Sequence, residues 1–376
     1  MTLRPCPLCR TPDPYLSVTR PRVPIFQNVI YPTRDAAVAA PQARFELGTC
    51  RRCGFSYNAA FDGARINYSI DYDNHVASAA FTQYYREVAR MLIDRLALRE
   101  GTVYDIGCGK GEFLRIFCEL APGVRGIGID PSCTPCHDGN FELRRATFET
   151  VTLESDARLV ILRHVLEHIE APHEFLSGVH AAMPSTPLYV EVPDLGWILG
   201  HRAFWDFCYE HCNYFTPTSL KYALGLSAFD VAAQDVAFGG QYQWALAIPA
   251  VGQTAELPDA AAAVGAVADY AEHEDVEIER LITRADRAGG LVVWGMATKG
   301  VLLSILLGEC RIRGGIDMNP AKQGRYAAAS GVEIHPPDWL KTVAPNTAVV
   351  AMNPNYLAEI RAIAEAIRND LEIIAV

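Results

Sequence analysis

Thr102-Val-Tyr-Asp-Ile-Gly-Cys-Gly-Lys-Gly-Glu-Phe-Leu114 is the stretch whose reading decides the fold of this chain. Val103 to Ile106 reads as a buried strand, Gly107, Gly109 and Gly111 as a tight turn, and Glu112 onward as a helix. Glycines at such a junction let the backbone come close to a ligand at the helix N-terminus. Two acids add information that the glycines alone do not carry. Asp105 stands two residues before the first glycine, where a dinucleotide-binding loop usually has no acid. Gly126-Ile-Gly-Ile-Asp130 then places an acid nineteen residues past Gly111, at the end of a second strand, where it can accept both hydroxyls of a ribose.

Loop, interior acid and strand-terminal acid together predict a class I methyltransferase that uses S-adenosylmethionine. Asp105 would meet the cationic amino group of the methionine moiety. Gly107, Gly109, Gly111 and Asp130 would hold the nucleoside. Leu159-Val-Ile-Leu-Arg163 reads as the fourth strand, ending beside the sulfonium, so Arg163 joins the expected cofactor residues.

Outward from this core, the 376 residues are enough for two or three domains at about 150 residues each. Half the residues are hydrophobic and a fifth charged, which excludes a disordered or fibrous chain. The longest apolar runs, such as Gly300 to Gly308, fall far short of the ~20 residues that span a bilayer. Met1 to Arg10 has no apolar signal-peptide core, so a cytoplasmic location is expected. The net charge of −11 argues against a protein that coats nucleic acid. Residues 1–60 nevertheless carry a local +5, leaving −16 elsewhere.

Eleven cysteines, an odd number, fit reduced thiols and a metal site better than a disulfide framework. Cys6-Pro-Leu-Cys9 and Cys50-Arg-Arg-Cys53 are paired knuckles, each followed by a residue suited to a tight turn, Arg10 and Gly54. Four thiolates from two such turns fill the tetrahedron of a structural zinc ion and leave no open position for catalysis. Cys133-Thr-Pro-Cys136 has no partner knuckle, and Cys208 and Cys212 read as packing residues. The expected fold is therefore α/β in three parts. Residues 1–75 form a zinc-binding ribbon and hinge, and 76–255 a Rossmann-like class I methyltransferase domain. Residues 256–376 form a long helix followed by a second Rossmann-like domain.

His164-Val-Leu-Glu-His168-Ile with Pro172, and above all Phe204-Trp-Asp-Phe-Cys-Tyr-Glu210-His211-Cys-Asn-Tyr214-Phe215-Thr216, carry a resemblance. With the ribbon, Trp294-Gly-Met-Ala-Thr-Lys299-Gly300 and Gly315-Ile-Asp317-Met-Asn-Pro-Ala-Lys322, the chain resembles the sugar C-methyltransferases that act on nucleotide-linked 4-ketosugars. Met296 and Ala297 depart from that family's C-terminal glycine loop, and Asp71-Tyr72-Asp73-Asn74 from its tyrosine-rich hinge. The resemblance implies that a proton leaves the carbon beside a ketone and the enolate attacks the sulfonium methyl. It implies His211, with Glu210, as base or enolate partner, His168 as a second histidine, and Tyr72 as a hydrogen-bond donor, with Tyr68 in reserve. Tyr214 and Lys299 are the expected substrate-binding residues. Lys299 sits where a strand, a glycine loop and a helix N-terminus would favour an anion such as a diphosphate.

Three other readings compete. O- or N-methylation of a sugar or other small metabolite would need a base but no enolate. A nucleic-acid function through the basic ribbon lacks a stacking platform. A non-catalytic partner protein is opposed by the intact set of Asp105, Asp130, His168, Glu210 and His211. The expected partner is a small molecule, a nucleotide-sugar, with no membrane.

Overall fold

In the computed structural model, residues 3–66, 78–154, 156–253 and 255–376 are described. The loop segment folds as its sequence predicts. Gly101–Ile106 is a strand and Glu112–Leu120 a helix. The strand lies inside an eight-stranded sheet in the order Phe229–Ala237, Tyr242–Pro249, Leu188–Pro193, Ala157–Arg163, Gly101–Ile106, Val124–Ile129, Phe141–Arg144, Cys136–Asp138. The strands from Leu188–Pro193 to Phe141–Arg144 are parallel. Tyr242–Pro249 runs antiparallel to both of its neighbours.

Both faces of this sheet are buried, which is why its central strands are continuous apolar runs rather than alternating ones. Val103, Leu159 and Ile161 pack with Phe81, Val88, Phe113 and Phe117 of the helices Ala79–Arg95 and Glu112–Leu120. Their chain neighbours Tyr104, Val160 and Leu162 point the other way, toward Leu176 and Leu220 of Pro172–Ala182 and Pro217–Leu226. All the loops that follow the parallel strands therefore emerge at one sheet edge, where ligands of such folds bind.

A second, seven-stranded sheet has Leu291–Trp294 as an interior strand, between Ala348–Ala351 and Ile312–Ile316. The predicted long helix is Ala260–Ala288, closed by Gly289 in the left-handed region at φ 63°. It covers one side of this sheet together with Thr298–Leu307, and Leu357–Ile367 covers the other. No helix among the described residues is long and apolar enough to cross a membrane.

The N-terminal region is tied to both of the other parts by strand pairing rather than standing apart. Its own sheet, Tyr15–Pro24, Gln42–Thr49 and Ser56–Asn58, receives Asn213–Tyr214 as a fourth strand. In return, Ile30–Tyr31 pairs with Arg325–Ala327 at the edge of the C-terminal sheet. Arg20 gives two hydrogen bonds, 2.8 and 2.5 Å, to Glu274 on the long helix, and Tyr270 gives Glu274 a third of 2.7 Å.

Candidate active site

Gly107, Gly109 and Gly111 all have positive φ, at 75°, 55° and 80°. At Gly107 a Cβ would fall 2.3 Å from Val165 Cγ2, so the turn has no room for a side chain. The next strand, Val124–Ile129, delivers Asp130 to this turn, where its carboxylate accepts from Gly109 N at 2.9 Å and from Ser132 N and Oγ at 2.7 and 2.6 Å. Asp105 is buried, and burial pushes its pKa up to about 7 against the pull of Arg163. A cleft opens here, lined by Asp105, Gly107, Gly109, Tyr85, Arg163 and His164.

From the cleft a chain of charged groups leads deeper into the molecule. Arg163 Nη2 donates to Glu191 Oε1 at 2.7 Å. Glu191 is wholly buried and also accepts from Tyr84 Oη at 2.6 Å and Tyr189 Oη at 2.8 Å. Burial alone would raise its pKa, but Arg163 and His164 hold it well below the usual carboxylate range. His164, a non-glycine residue at φ 54°, has Nε2 3.1 Å from Glu191 and Nδ1 3.5 Å from Glu167. Burial would lower its pKa, yet these two carboxylates push it up to about 9.

Glu167 joins His168 and His211, the ligand atoms of all three lying within 4.8 Å of one another. The two histidines are far apart in sequence and meet because Asn213 ties their segments together. Its side-chain amide donates to Leu166 O at 3.1 Å and Ile169 O at 2.6 Å, on either side of the turn that carries His168. The rings stand edge to face with centroids 4.8 Å apart. Desolvation lowers both pKa values, that of His211 to about 3.

Residues 78–234 match the methyltransferase domain family, and residues 261–374 match the C-methyltransferase C-terminal domain. The chain therefore carries a methyltransferase domain followed by a C-methyltransferase C-terminal domain. No curated protein matches the chain. Solved structures similar to it include CalO1, a methyltransferase in calicheamicin biosynthesis, in its S-adenosylhomocysteine-bound form. CalO1 is 17% identical with a TM-score of 0.38, over 45% of this chain and 54% of that one. The 1,6-didemethyltoxoflavin-N1-methyltransferase of Burkholderia thailandensis is also 17% identical, with a TM-score of 0.36, over 46% and 80%. Human N-acetylserotonin methyltransferase, in complex with S-adenosylmethionine, is 17% identical with a TM-score of 0.37, over 46% and 55%. The chain thus spans little more than half the length of CalO1.

The other predicted residues fall in three places. The Glu210 carboxylate accepts from Gln27 N at 2.8 Å and its carbonyl pairs with His168 Nδ1 at 3.1 Å, so it links the N-terminal region to the histidine pair. The Tyr214 hydroxyl is engaged by the backbone of Cys208 on both sides, accepting at 3.0 Å and donating at 3.1 Å. Lys299 reaches across from the C-terminal domain to Asp206 at 2.9 Å, lies 5.0 Å from the Trp197 ring centroid, and contributes to lowering the His211 pKa. Tyr72 and its reserve Tyr68 lie outside the described residues. Cys6, Cys9, Cys50 and Cys53 converge, with the Cys6–Cys53 and Cys9–Cys50 sulfurs 3.6 and 3.5 Å apart and all four sulfurs within 4.8 Å. A zinc–sulfur length of about 2.3 Å makes a tetrahedron with edges of roughly 3.8 Å, so the four thiols fit a zinc ion. Arg10 and Gly54 both take positive φ, at 58° and 68°, closing the two knuckles alike.

Glu191, Glu167 and His164 are members of the site that motif reading did not select. Glu191 had a signal of its own, as a lone acid in the otherwise apolar Leu188-Tyr-Val-Glu-Val192, because a charge in a buried strand must have partners.

Proposed function

We propose that this methyltransferase transfers methyl to carbon, on a ketosugar carried by a nucleotide. The observation that carries the reading is the edge-to-face pair of imidazoles, His168 and His211, set beside Glu167 with Lys299 of the C-methyltransferase C-terminal domain close by. Bound S-adenosylmethionine supplies an electrophilic methyl on a sulfonium. The chain would supply the rest. A neutral imidazole is the form that takes a proton from the carbon beside the ketone, with His211 the favoured base and His168 its partner. Glu167, whose pKa is held low, would steady the imidazolium that results. Tyr72 is the proposed donor to the enolate oxygen. Glu210 would hold His168 in place through its carbonyl. Asp105, Gly107, Gly109, Gly111, Asp130 and Arg163 are the proposed cofactor residues, and Tyr214 and Lys299 the substrate side. The four-cysteine cluster would hold structural Zn2+, tying the N-terminal sheet to the strand that follows His211.

The test is calorimetric titration of the S-adenosylhomocysteine-loaded protein with thymidine, guanosine, uridine and cytidine diphosphates. Tight binding of one, weakened at least about tenfold in Lys299→Ala, supports the reading, because removing one charged contact to phosphate costs on the order of 1.4 kcal/mol or more. Binding of none of the four counts against a nucleotide carrier. Deuterium uptake at the carbon beside the ketone, without methyl donor, separates carbon methylation from O- or N-methylation.

A further inference from the structure

Glu167, His168 and His211 are also a set of metal ligands. Their ligand atoms lie within 4.8 Å of one another, a convergence otherwise met, among the described residues, in the four-cysteine cluster. Two imidazoles and a carboxylate suit zinc and its transition-metal neighbours, whereas hard cations such as Mg2+ favour oxygen ligands. Metal–ligand bonds of about 2.0–2.2 Å set tetrahedral ligand atoms roughly 3.4 Å apart, a closure within reach of side-chain rotation.

Two further observations point to a cation. Glu167 is 1% exposed, and its Oε2 is buried with no hydrogen-bond partner among the described residues, His164 Nδ1 standing 3.5 Å from Oε1 instead. A buried carboxylate oxygen without a donor is unfavourable, and a metal ion satisfies it. His168 Nδ1 lies 3.1 Å from the Glu210 carbonyl, which can only accept. Nδ1 therefore carries the proton and Nε2 the lone pair, and a carbonyl behind the ring is the usual support of an imidazole ligand.

We propose that Glu167, His168 and His211 bind a divalent ion of the zinc class, and that the ion shuts off proton abstraction, which rests on the reading of the histidines as base and partner. The lone pair that would accept the substrate proton is the one that would hold the metal, so a ring does one or the other. The enzyme is active with this triad empty and is reversibly inhibited by free zinc.

The experiment titrates the desalted full-length protein with Co2+ by visible absorption and with Zn2+ by calorimetry. Cobalt on the triad gives d–d bands without the thiolate-to-cobalt charge transfer that the four cysteines would add, so the two sites are told apart. One such cobalt per chain is expected. Changing a group that merely orients a metal ligand costs about 10–100-fold in affinity, so Glu167→Gln, which removes a ligand, should weaken binding at least about tenfold, as should His211→Gln. Zn2+ should suppress deuterium uptake by a nucleoside-diphosphate 4-ketosugar in step with occupancy, and desalting should restore it; Mg2+ should leave uptake unchanged. Absence of thiolate-free cobalt bands overturns the site, as does affinity unchanged in Glu167→Gln, which means an adventitious ion only. Uptake that persists at full occupancy overturns the inhibition. An enzyme that exchanges no deuterium even without metal, while cobalt still binds the triad, counts against the base reading and leaves the metal site standing.

Discussion

At the scale of single residues, the site is organised by where protons rest. His211 is held to about 3 by desolvation and by His168, so its base form persists through the acid range. The expected result is a kcat/KM profile with no falling limb near pH 6.5, where an ordinary histidine base would be lost. His211→Gln should lower kcat by about 10²–10⁴-fold while leaving S-adenosylhomocysteine affinity unchanged in calorimetry. His164 behaves oppositely. Its folded pKa is raised to about 9 from an ordinary 6.5, so its contribution to stability is full below 6.5 and disappears as pH climbs through 9. Thermal unfolding followed from pH 6 to 9.5 should show that decline in the wild type. His164→Asn, which accepts the left-handed backbone at φ 54° but cannot ionise, should flatten it.

At the scale of elements, the N-terminal sheet is completed by Asn213–Tyr214, two residues beyond His211, and Arg4 adds a 2.6 Å hydrogen bond to Cys212 O. Removing the metal proposed for the four cysteines should therefore be felt in the histidine pair. Chelation is expected to raise hydrogen exchange across 204–214 and to lower turnover, with cofactor affinity kept because Asp105 lies on, and Asp130 just after, strands of the other sheet. Unaltered exchange there after loss of zinc would refute the linkage. Elements with strong local patterns were legible. The loop's strand and helix, the fourth strand ending at Arg163, the strand Leu291–Trp294 and the long helix all lie where periodicity, glycine turns and apolar runs put them. The two-residue strands Ile30–Tyr31 and Asn213–Tyr214 were not. Such short pairings have no period to read, and tertiary contact alone selects them. The same holds for the polar chain through Glu191 and Glu167, whose partners come from distant segments. The cysteine knuckles, by contrast, announce themselves because their ligands lie close in sequence.

At the scale of the whole molecule, Arg20 and Glu274 join the N-terminal sheet to the long helix through a buried pair, with side-chain exposures of 9% and 7%. Breaking one side leaves the other charge buried and uncompensated. Glu274→Leu alone should cost about 3–5 kcal/mol in denaturant unfolding, while the double variant Arg20→Met with Glu274→Leu should recover most of that loss. Recovery in the double variant is the outcome that separates charge burial from lost packing.

The exchanged strands also bear on the order of events as the chain leaves the ribosome. Tyr15–Pro24 and its neighbours are made first, but their sheet waits for residues 213–214 before its last strand exists. Ile30–Tyr31 waits longer still, for a partner strand beginning at Arg325. Each such pairing closes a long loop, so the N-terminal region gains its final form late, after the methyltransferase sheet it will lean on has been synthesised. A stalled or truncated chain ending before residue 213 would carry a ribbon with one open sheet edge, which is the kind of surface that recruits chaperones or other chains.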